Sequence, residues 1–326
     1  MLSPASYLIT GGAGFIGSHL SEALLQAGHK VTVIDDLSTG RINNIASLQA
    51  HPNFNFARAT IDDRVVLDRL AAEAHVIIHL AAAVGVKLVV ERPVQTIETN
   101  VGGTEDVLQA ALRYGCRVLI ASTSEVYGKG SKIPFAEDDD IVLGPTSRSR
   151  WAYAASKMVD EFLGLAYGRE HGLSVVIFRL FNTVGPRQRG RYGMVIPRFV
   201  DQALRGVPLT VYGDGTQSRC FCDVADVVRA IIGLAEHPEA SGQVFNVGGT
   251  DSISIQALAE RIRDLAGGKS EIVRVPYEEA YGAGFEDMAR RKPDVGRIHD
   301  LLKWKPRVPL EDILQRVFDY ARELDS

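Results

Sequence analysis

A tyrosine and a lysine stand four positions apart in "YAASK", residues 153–157. The surrounding segment, "WAYAASKMVDEFLGLAYGREHG", carries apolar residues at helical spacing. On a helix, positions i and i+4 share a face. The Lys157 ammonium beside the Tyr153 phenol favours the phenolate and is expected to draw that tyrosine from about 10 toward neutrality. A phenol tuned in this way can take the proton of a hydroxyl. A third hydroxyl, from Ser122, Thr123 or Ser124, stands at the end of the apolar run "CRVLIAST" (116–123), and Glu125 and Tyr127 follow it in "ASTSEVYG" (121–128). Hydroxyls and a carboxylate at the end of an interior strand belong either to a solvated rim or to groups that act on a substrate. Any exposed helix can carry Tyr-x-x-x-Lys, so the meaning of the pair depends on the elements that place it.

Those elements alternate. "SYLIT" (6–10), "KVTVID" (30–35), "FNFARAT" (54–60), "AHVIIHLAA" (74–82), "CRVLIAST" (116–123) and "LSVVIFRLFN" (173–182) read as strands, with "FIGSHLSEALLQAG", "DRVVLDRLAAE", "VGGTEDVLQAALRYG" and the Tyr153 segment as helices between them. Strands alternating with helices of about 10–15 residues indicate an α/β fold with a doubly wound parallel sheet. Its ligand crevice falls at the carboxyl ends of the strands. After about residue 183 the regularity breaks: "GPRQRGRYGMVIPRF" is loop-like, and a smaller, mixed α/β region follows. The expected division is a dinucleotide domain over 1–183 with a return segment near 220–248, and a substrate lobe over 184–326. In the return segment "GQVFNVGG" is expected to rejoin the main sheet.

"TGGAGFIG" (10–17) follows the first strand and opens a helix, supplying Gly11, Gly14 and Gly17. Inside a βαβ unit these glycines allow a tight turn, close approach of backbone to a pyrophosphate, and packing of helix on strand. The phosphates then lie on the helix N-terminus, at Phe15 and Ile16. The second strand ends at "VIDD", putting Asp35 about 20 residues past the glycines, where an acid accepts from ribose hydroxyls and repels a 2′-phosphate. NAD is therefore expected over NADP, with Asp36 able to share or take the role. Arg41 could in principle meet a 2′-phosphate, but the acid leading the loop favours NAD. At the carboxyl ends of the strands Leu80, Ala81, Ala82 and Ser122 join the cofactor set, with Tyr153 and Lys157. A hydride leaving the carbon for nicotinamide as Tyr153 takes the hydroxyl proton is the chemistry this combination can perform.

Composition narrows the classes. The chain has 326 residues, 46% hydrophobic and 23% charged, with a net charge of -4. Such a balance gives no electrostatic footprint for nucleic acid or anionic lipid. No apolar stretch reaches the roughly 18 residues of a membrane span, and the first strand begins too early for a signal peptide, so a cytoplasmic protein is expected. Cys116, Cys220 and Cys222 suggest neither a disulfide framework nor a metal site.

Taken together, the glycine loop, the strand-end "STS", the Tyr-x-x-x-Lys pair and "RLFNTVGPRQ" resemble the extended short-chain dehydrogenase/reductase family acting on nucleotide sugars, over nearly the whole chain. The resemblance implies a tightly held NAD, a Rossmann domain, and a homodimer built as a four-helix bundle from helices near 95–113 and 153–170. It implies that Asn182 contacts the sugar diphosphate. "VYGDGTQSR", with Tyr212, resembles the stretch that wraps the uracil and delivers Arg219 to the phosphates. "RRKPD" resembles the segment that supplies Arg291, with Asp294 near the nucleotide ribose. Arg290 and Arg187 suit a solvated surface better. Many relatives reach the adenine with Gly-Asp where this chain has Ala59 and Thr60, so Thr60 and the backbone of Ile61 are expected there.

Members of the family share oxidation at C4 of the sugar and differ afterwards. The 4,6-dehydratases resemble "TDEVYG", whose aspartate protonates a leaving hydroxyl; here Ser124 stands in its place. Plain 4-epimerases usually carry a small residue where this chain has Glu125. "TSEVYG", "SRSRWAYAASK", "QSRCF" and "RRKPD" resemble UDP-glucuronate decarboxylases. That resemblance implies C4 oxidation of UDP-glucuronate and decarboxylation to a UDP-4-keto-pentose or UDP-xylose, with Glu125 and Arg291 sharing the positioning and the proton donation. A UDP-glucose or UDP-glucuronate 4-epimerase is the alternative. A non-catalytic NAD sensor is a remote one, since Tyr153 and Lys157 are both present.

Overall fold

Short β-branched runs form the centre of the protein. The computed structural model describes residues 4–85, 91–190, 194–281, 288 and 290–325. Six strands alternate with helices: β1 (Ser6–Thr10), β2 (Lys30–Ile34), β3 (Phe54–Ala57), β4 (Val76–His79), β5 (Arg117–Thr123) and β6 (Val175–Leu180). Five shorter ones follow: β7 (Thr183–Val184), β8 (Leu209–Tyr212), β9 (Ser218–Cys220), β10 (Cys222–Asp223) and β11 (Val244–Val247). The last three are β12 (Ser252–Ser254), β13 (Ile272–Val275) and β14 (Arg290–Arg291). A seven-stranded sheet runs in the order β11-β6-β5-β4-β1-β2-β3, and every pair in it is parallel. "GQVFNVGG" does return to the sheet, as β11 beside β6.

Strands covered on both faces read as near-continuous apolar runs, as in β4, all four of whose residues are buried. On one face Leu20 and Leu24 of helix Phe15–Gln26 pack with Val227 and Ile231 of helix Val224–Glu236. On the other, Leu67, Leu108 and Ala111 meet Val118, Ile120 and Val175. A separate core in the C-terminal lobe gathers Phe199, Leu209, Leu258, Leu314 and Phe318. Three small sheets frame the lobe: β10-β7, β12-β9-β14 and β13-β8. Among the described residues no helix is long and apolar enough to cross a membrane.

Two strands stop three residues earlier than the sequence suggests. β3 ends at Ala57 because the Thr60 carbonyl accepts from Asp63 N–H, and Asp63 then caps helix Arg64–Ala71. β4 ends at His79, and the Ala81 N–H turns to the Thr10 hydroxyl, 3.1 Å away. The helical stretch from Pro93 to Tyr114 is interrupted by a π turn over Glu98–Gly102. A π turn offsets the helix register and is frequent at functional sites. Here it sets Asn100 between Ala83 N–H, 2.8 Å from its Oδ1, and Ser156 Oγ, 3.0 Å from its Nδ2.

Candidate active site

The cofactor end is built mostly from backbone. Gly11 has φ +69°, and a Cβ there would lie 2.9 Å from Ala81 N. A Cβ on Gly17 would meet the Gly11 carbonyl and Gly12 Cα, each at 2.6 Å. Glycine is thus demanded by conformation at the first position and by packing at the second. Helix Phe15–Gln26 begins at Gly14 with no side-chain cap and no acid in its first turn, leaving its N–H groups directed at an anion. This cradle fits a dinucleotide pyrophosphate. Asp35 is buried, taking Ala13 N–H at 2.9 Å and Leu37 N–H at 2.8 Å. Burial raises its pKa, against the pull of those two donors. It therefore ties the glycine loop to the end of β2, whereas Asp36 is exposed and accepts from Ser38. Leu80, Ala81 and Ala82 follow β4, and Thr60 and buried Ile61 follow β3, all on the carboxyl edge of the sheet.

Tyr153 and Lys157 stand in the first turns of helix Ala152–His171. Of the three candidate hydroxyls, Thr123 meets the tyrosine: their side chains are hydrogen-bonded, and the Thr123 Oγ1 also accepts from Glu125 N–H at 3.2 Å. Ser122 donates to buried Glu161, the bidentate partner of Arg179, while Ser124 is buried in the 3-10 turn that follows.

The expected lowering of the Tyr153 pKa is not found. Its phenol is pushed up, first by burial and then by the charges of Glu125 and Asp160, against the Thr123 hydrogen bond and Arg291. Burial is the first physical reason; the Lys157 ammonium, moreover, lies 2.6 Å from Asp160 Oδ2, with both side chains buried. Beyond them lies His79, its Nδ1 2.8 Å from Thr10 Oγ1 and its Nε2 3.1 Å from Thr104 Oγ1. Burial, then the neighbouring Lys157, lowers its pKa to about 3 and keeps the imidazole neutral.

Glu125 is no rim residue. It is buried, with Arg150 Nη1 2.6 Å from one carboxylate oxygen and Arg291 paired to the other. Burial works against ionisation, but Arg291 and Arg150 outweigh it and hold the carboxyl at about 2. Glu125 is therefore a carboxylate at any working pH. It cannot serve as the acid that protonates a leaving hydroxyl; it is the carboxylate on which two guanidiniums converge. Arg150 lies over the Trp151 ring, 5.0 Å from its centroid.

Of the remaining substrate candidates, Arg291 and Arg219 are register partners in the parallel pair β14-β9. Arg219 is buried and donates to the Ser218 carbonyl, whereas the Arg291 side chain is turned to Glu125, with its Nε buried and unbonded. Asn182 Nδ2 donates to the Cys220 carbonyl at 3.0 Å. Tyr212 ends β8 beneath the Arg198 guanidinium, 3.8 Å from its ring centroid. Asp294 Oδ1 accepts from Gly296 N–H at 2.8 Å and lies farther along the segment that carries Arg291. Arg187 is paired with Glu22, and Arg290 is exposed.

A dinucleotide loop and a Tyr-Lys pair on one edge of a doubly wound sheet define a dinucleotide-dependent enzyme acting on hydroxyl-bearing carbon. Residues 7–248 match the NAD dependent epimerase/dehydratase family, and the chain belongs to that family. It is 44% identical to a UDP-N-acetyl-alpha-D-glucosaminuronate decarboxylase of Bacillus cytotoxicus, with 98% of each chain covered. It is 38% identical to UDP-glucuronic acid decarboxylase 1 of Xenopus tropicalis over 97% of this chain and 72% of the other. Among solved structures, UDP-glucuronic acid 4-epimerase from Bacillus cereus, in complex with UDP-glucuronic acid and NAD, superposes with a TM-score of 0.88 at 30% identity, covering 98% of this chain and 99% of that one.

Proposed function

We propose that the protein is an NAD-dependent UDP-hexuronate decarboxylase, and the observation that carries this reading is the Arg150–Glu125–Arg291 cluster beside Tyr153. The buried Arg291 Nε, unbonded among the described residues, is a donor suited to an anionic group on the sugar. A uronate supplies such a carboxylate. Tyr153, hydrogen-bonded to Thr123, takes the proton of the sugar C4 hydroxyl, and NAD supplies the acceptor for the C4 hydride. The resulting 4-keto uronate is a β-keto acid. Its carboxylate leaves as carbon dioxide, and the electron pair of the broken bond forms an enolate that takes a proton at C5. Arg291 is placed to stabilise that enolate, and Glu125 to hold both guanidiniums toward the sugar. The 44% identity to the Bacillus cytotoxicus decarboxylase supports this chemistry and makes an N-acetylated uronate a natural substrate beside UDP-glucuronate.

Gly11, Gly14 and Gly17 would hold the pyrophosphate and Asp35 or Asp36 the adenosine ribose, with Arg219, Asn182 and Tyr212 toward the UDP. On this reading 1–183 with 220–248 is the dinucleotide part and 184–326 the sugar-nucleotide lobe. Exposed Val94 (65%), Ile97 (44%), Val159 (37%) and Phe162 (61%), on the two helical segments expected to pair, support a homodimer. Three free, buried cysteines support a cytoplasmic setting.

Incubation with UDP-glucuronate, UDP-N-acetylglucosaminuronate and UDP-galactose in parallel, read by product mass, tests the assignment. Loss of carbon dioxide from a uronate is expected. Interconversion of UDP-galactose and UDP-glucose, or a uronate epimerised with its carboxylate intact, overturns it in favour of the 4-epimerase reading, which the Bacillus cereus structure supports.

A further inference from the structure

Tyr127 stands two residues after Glu125 in the same 3-10 turn, and the proposed chemistry gives it no part. Its side chain is buried, the ring stacked on Phe135 with centroids 4.6 Å apart and the Arg179 guanidinium 4.8 Å from its centroid. Burial raises the phenol to about 12, against the pull of Arg179, so the hydroxyl is a donor at any working pH. It donates to Asn246 Oδ1 at 2.8 Å. Asn246 lies fully buried on β11, and its Nδ2 donates to the Phe135 carbonyl at 2.9 Å and to the Asp294 carbonyl at 3.0 Å. Its backbone N–H goes to Glu137 Oε1 at 2.8 Å. A phenol on one side and two carbonyls on the other leave the amide one orientation.

These partners belong to the two segments that meet at the charged cluster. Tyr127 closes the turn that carries Glu125. Phe135 and Asp294 hold the segment that carries Arg291: Phe135 N–H donates to the Lys292 carbonyl at 2.9 Å, and Asp294 N–H to the Phe135 carbonyl at 2.8 Å. Glu125 and Arg291 are 166 residues apart in the chain, so their pairing depends on these two segments keeping one separation. We propose that Asn246 is a positioning residue, which sets the Glu125–Arg291 pair by tying the Glu125 turn and the Arg291 segment to β11. An amide suits the task because it offers an acceptor on one side and two donor hydrogens on the other. Leucine, of similar shape, would leave a hydroxyl and two carbonyls short of a partner.

The inference rests on Arg291 acting after C4 oxidation, as in the proposed function, and the test keeps the two apart. In a single turnover of UDP-glucuronate, NADH formation reads C4 oxidation and carbon dioxide release reads the step after it. In Asn246→Leu, carbon dioxide release is expected to slow about tenfold while NADH formation changes by less than about twofold. In Tyr127→Phe, which keeps the ring stack and cuts one tie, the release is expected to slow about threefold. An asparagine that only stabilises the fold would lower both steps alike, so equal changes, or none, overturn the proposal. A second measurement needs no turnover: the titration of a carbon-13 label at the Glu125 carboxyl, assigned by its loss in Glu125→Gln. That carboxyl lies at about 2 in the wild type. In both variants it is expected to rise by about one pH unit or more as Arg291 draws away, and an unmoved titration overturns the proposal. If Asn246→Leu does not fold, Tyr127→Phe carries both measurements. A wild-type enzyme that releases no carbon dioxide from any uronate sinks the decarboxylase reading instead, and the Glu125 titration then decides the role of Asn246 alone.

Discussion

The two ends of the crevice are made differently. At the cofactor end one continuous segment, Thr10 to Gly17, presents backbone N–H groups, and its glycines are required because a Cβ would strike neighbouring main chain. At the end we assign to the sugar, three segments distant in sequence bring Glu125, Arg150 and Arg291 together through side-chain ion pairs. A backbone cradle keeps its donors whatever the pH. A side-chain cluster depends on protonation and on every member being present, because removing one leaves the others buried and uncompensated.

Substitutions can break this contrast or sharpen it. The largest effect is expected where the two ends meet: Tyr153→Phe removes the proposed base and should lower kcat by about 10³-fold, read as NADH formation in a single turnover. Next, Glu125→Gln removes the carboxylate that Arg150 and Arg291 share. A loss of about 3 kcal/mol in unfolding free energy is expected, measured by denaturant titration near neutral pH.

The same pair gives a pH signature. The Glu125 carboxyl lies at about 2 in the folded chain against an ordinary 4.5. Its depressed pKa means that the folded state binds the proton less readily than the unfolded one. The stabilisation is therefore fully present above pH 4.5 and is lost as pH falls from there toward 2. Melting temperature followed across that window should drop more steeply in the wild type than in Glu125→Gln. Equal slopes would dissolve the contrast between the two ends.

Gly17→Ala acts on the other side of it, costing about 2 kcal/mol by overpacking and weakening NAD binding by calorimetry at every pH alike. The smallest effect is expected from Asp36→Ala, about tenfold in NAD affinity if its exposed carboxylate meets the ribose. If Asp35→Ala weakens NAD no more than it weakens the fold, Asp35 belongs to the loop alone.

Legibility in the sequence follows the same line. The doubly wound sheet and the glycine loop could be read because each rests on a local pattern, alternating apolar runs in one case and a strand-turn-helix in the other. Glu125 stood out by type, but its partners did not. Arg150 precedes Tyr153 by three residues on a 3-10 turn, and Arg291 arrives by a two-residue strand far along the chain. The Tyr153 expectation failed because burial of the phenol, which no spacing rule reports, raises its pKa first, with the charges of Glu125 and Asp160 adding to it. Asp160, at i+3 from Lys157, lies on the same face and was visible by the same rule. His79 and Asn100 gave weaker signals, an imidazole inside an apolar strand and an amide on a turn whose π character no spacing rule announces.

The segment from Arg290 to Asp294 has a further consequence. At one end it pairs with β9 in the C-terminal lobe. Its Lys292 carbonyl accepts from Phe135 N–H, Asp294 N–H donates to the Phe135 carbonyl, and Asn246, on β11 of the main sheet, reaches the Asp294 carbonyl. One short strap is thus fastened to β9 and to the main sheet, and the Glu125–Arg291 pair pins it a third time. A hinge opening between that strand and the sheet would have to tear these bonds together.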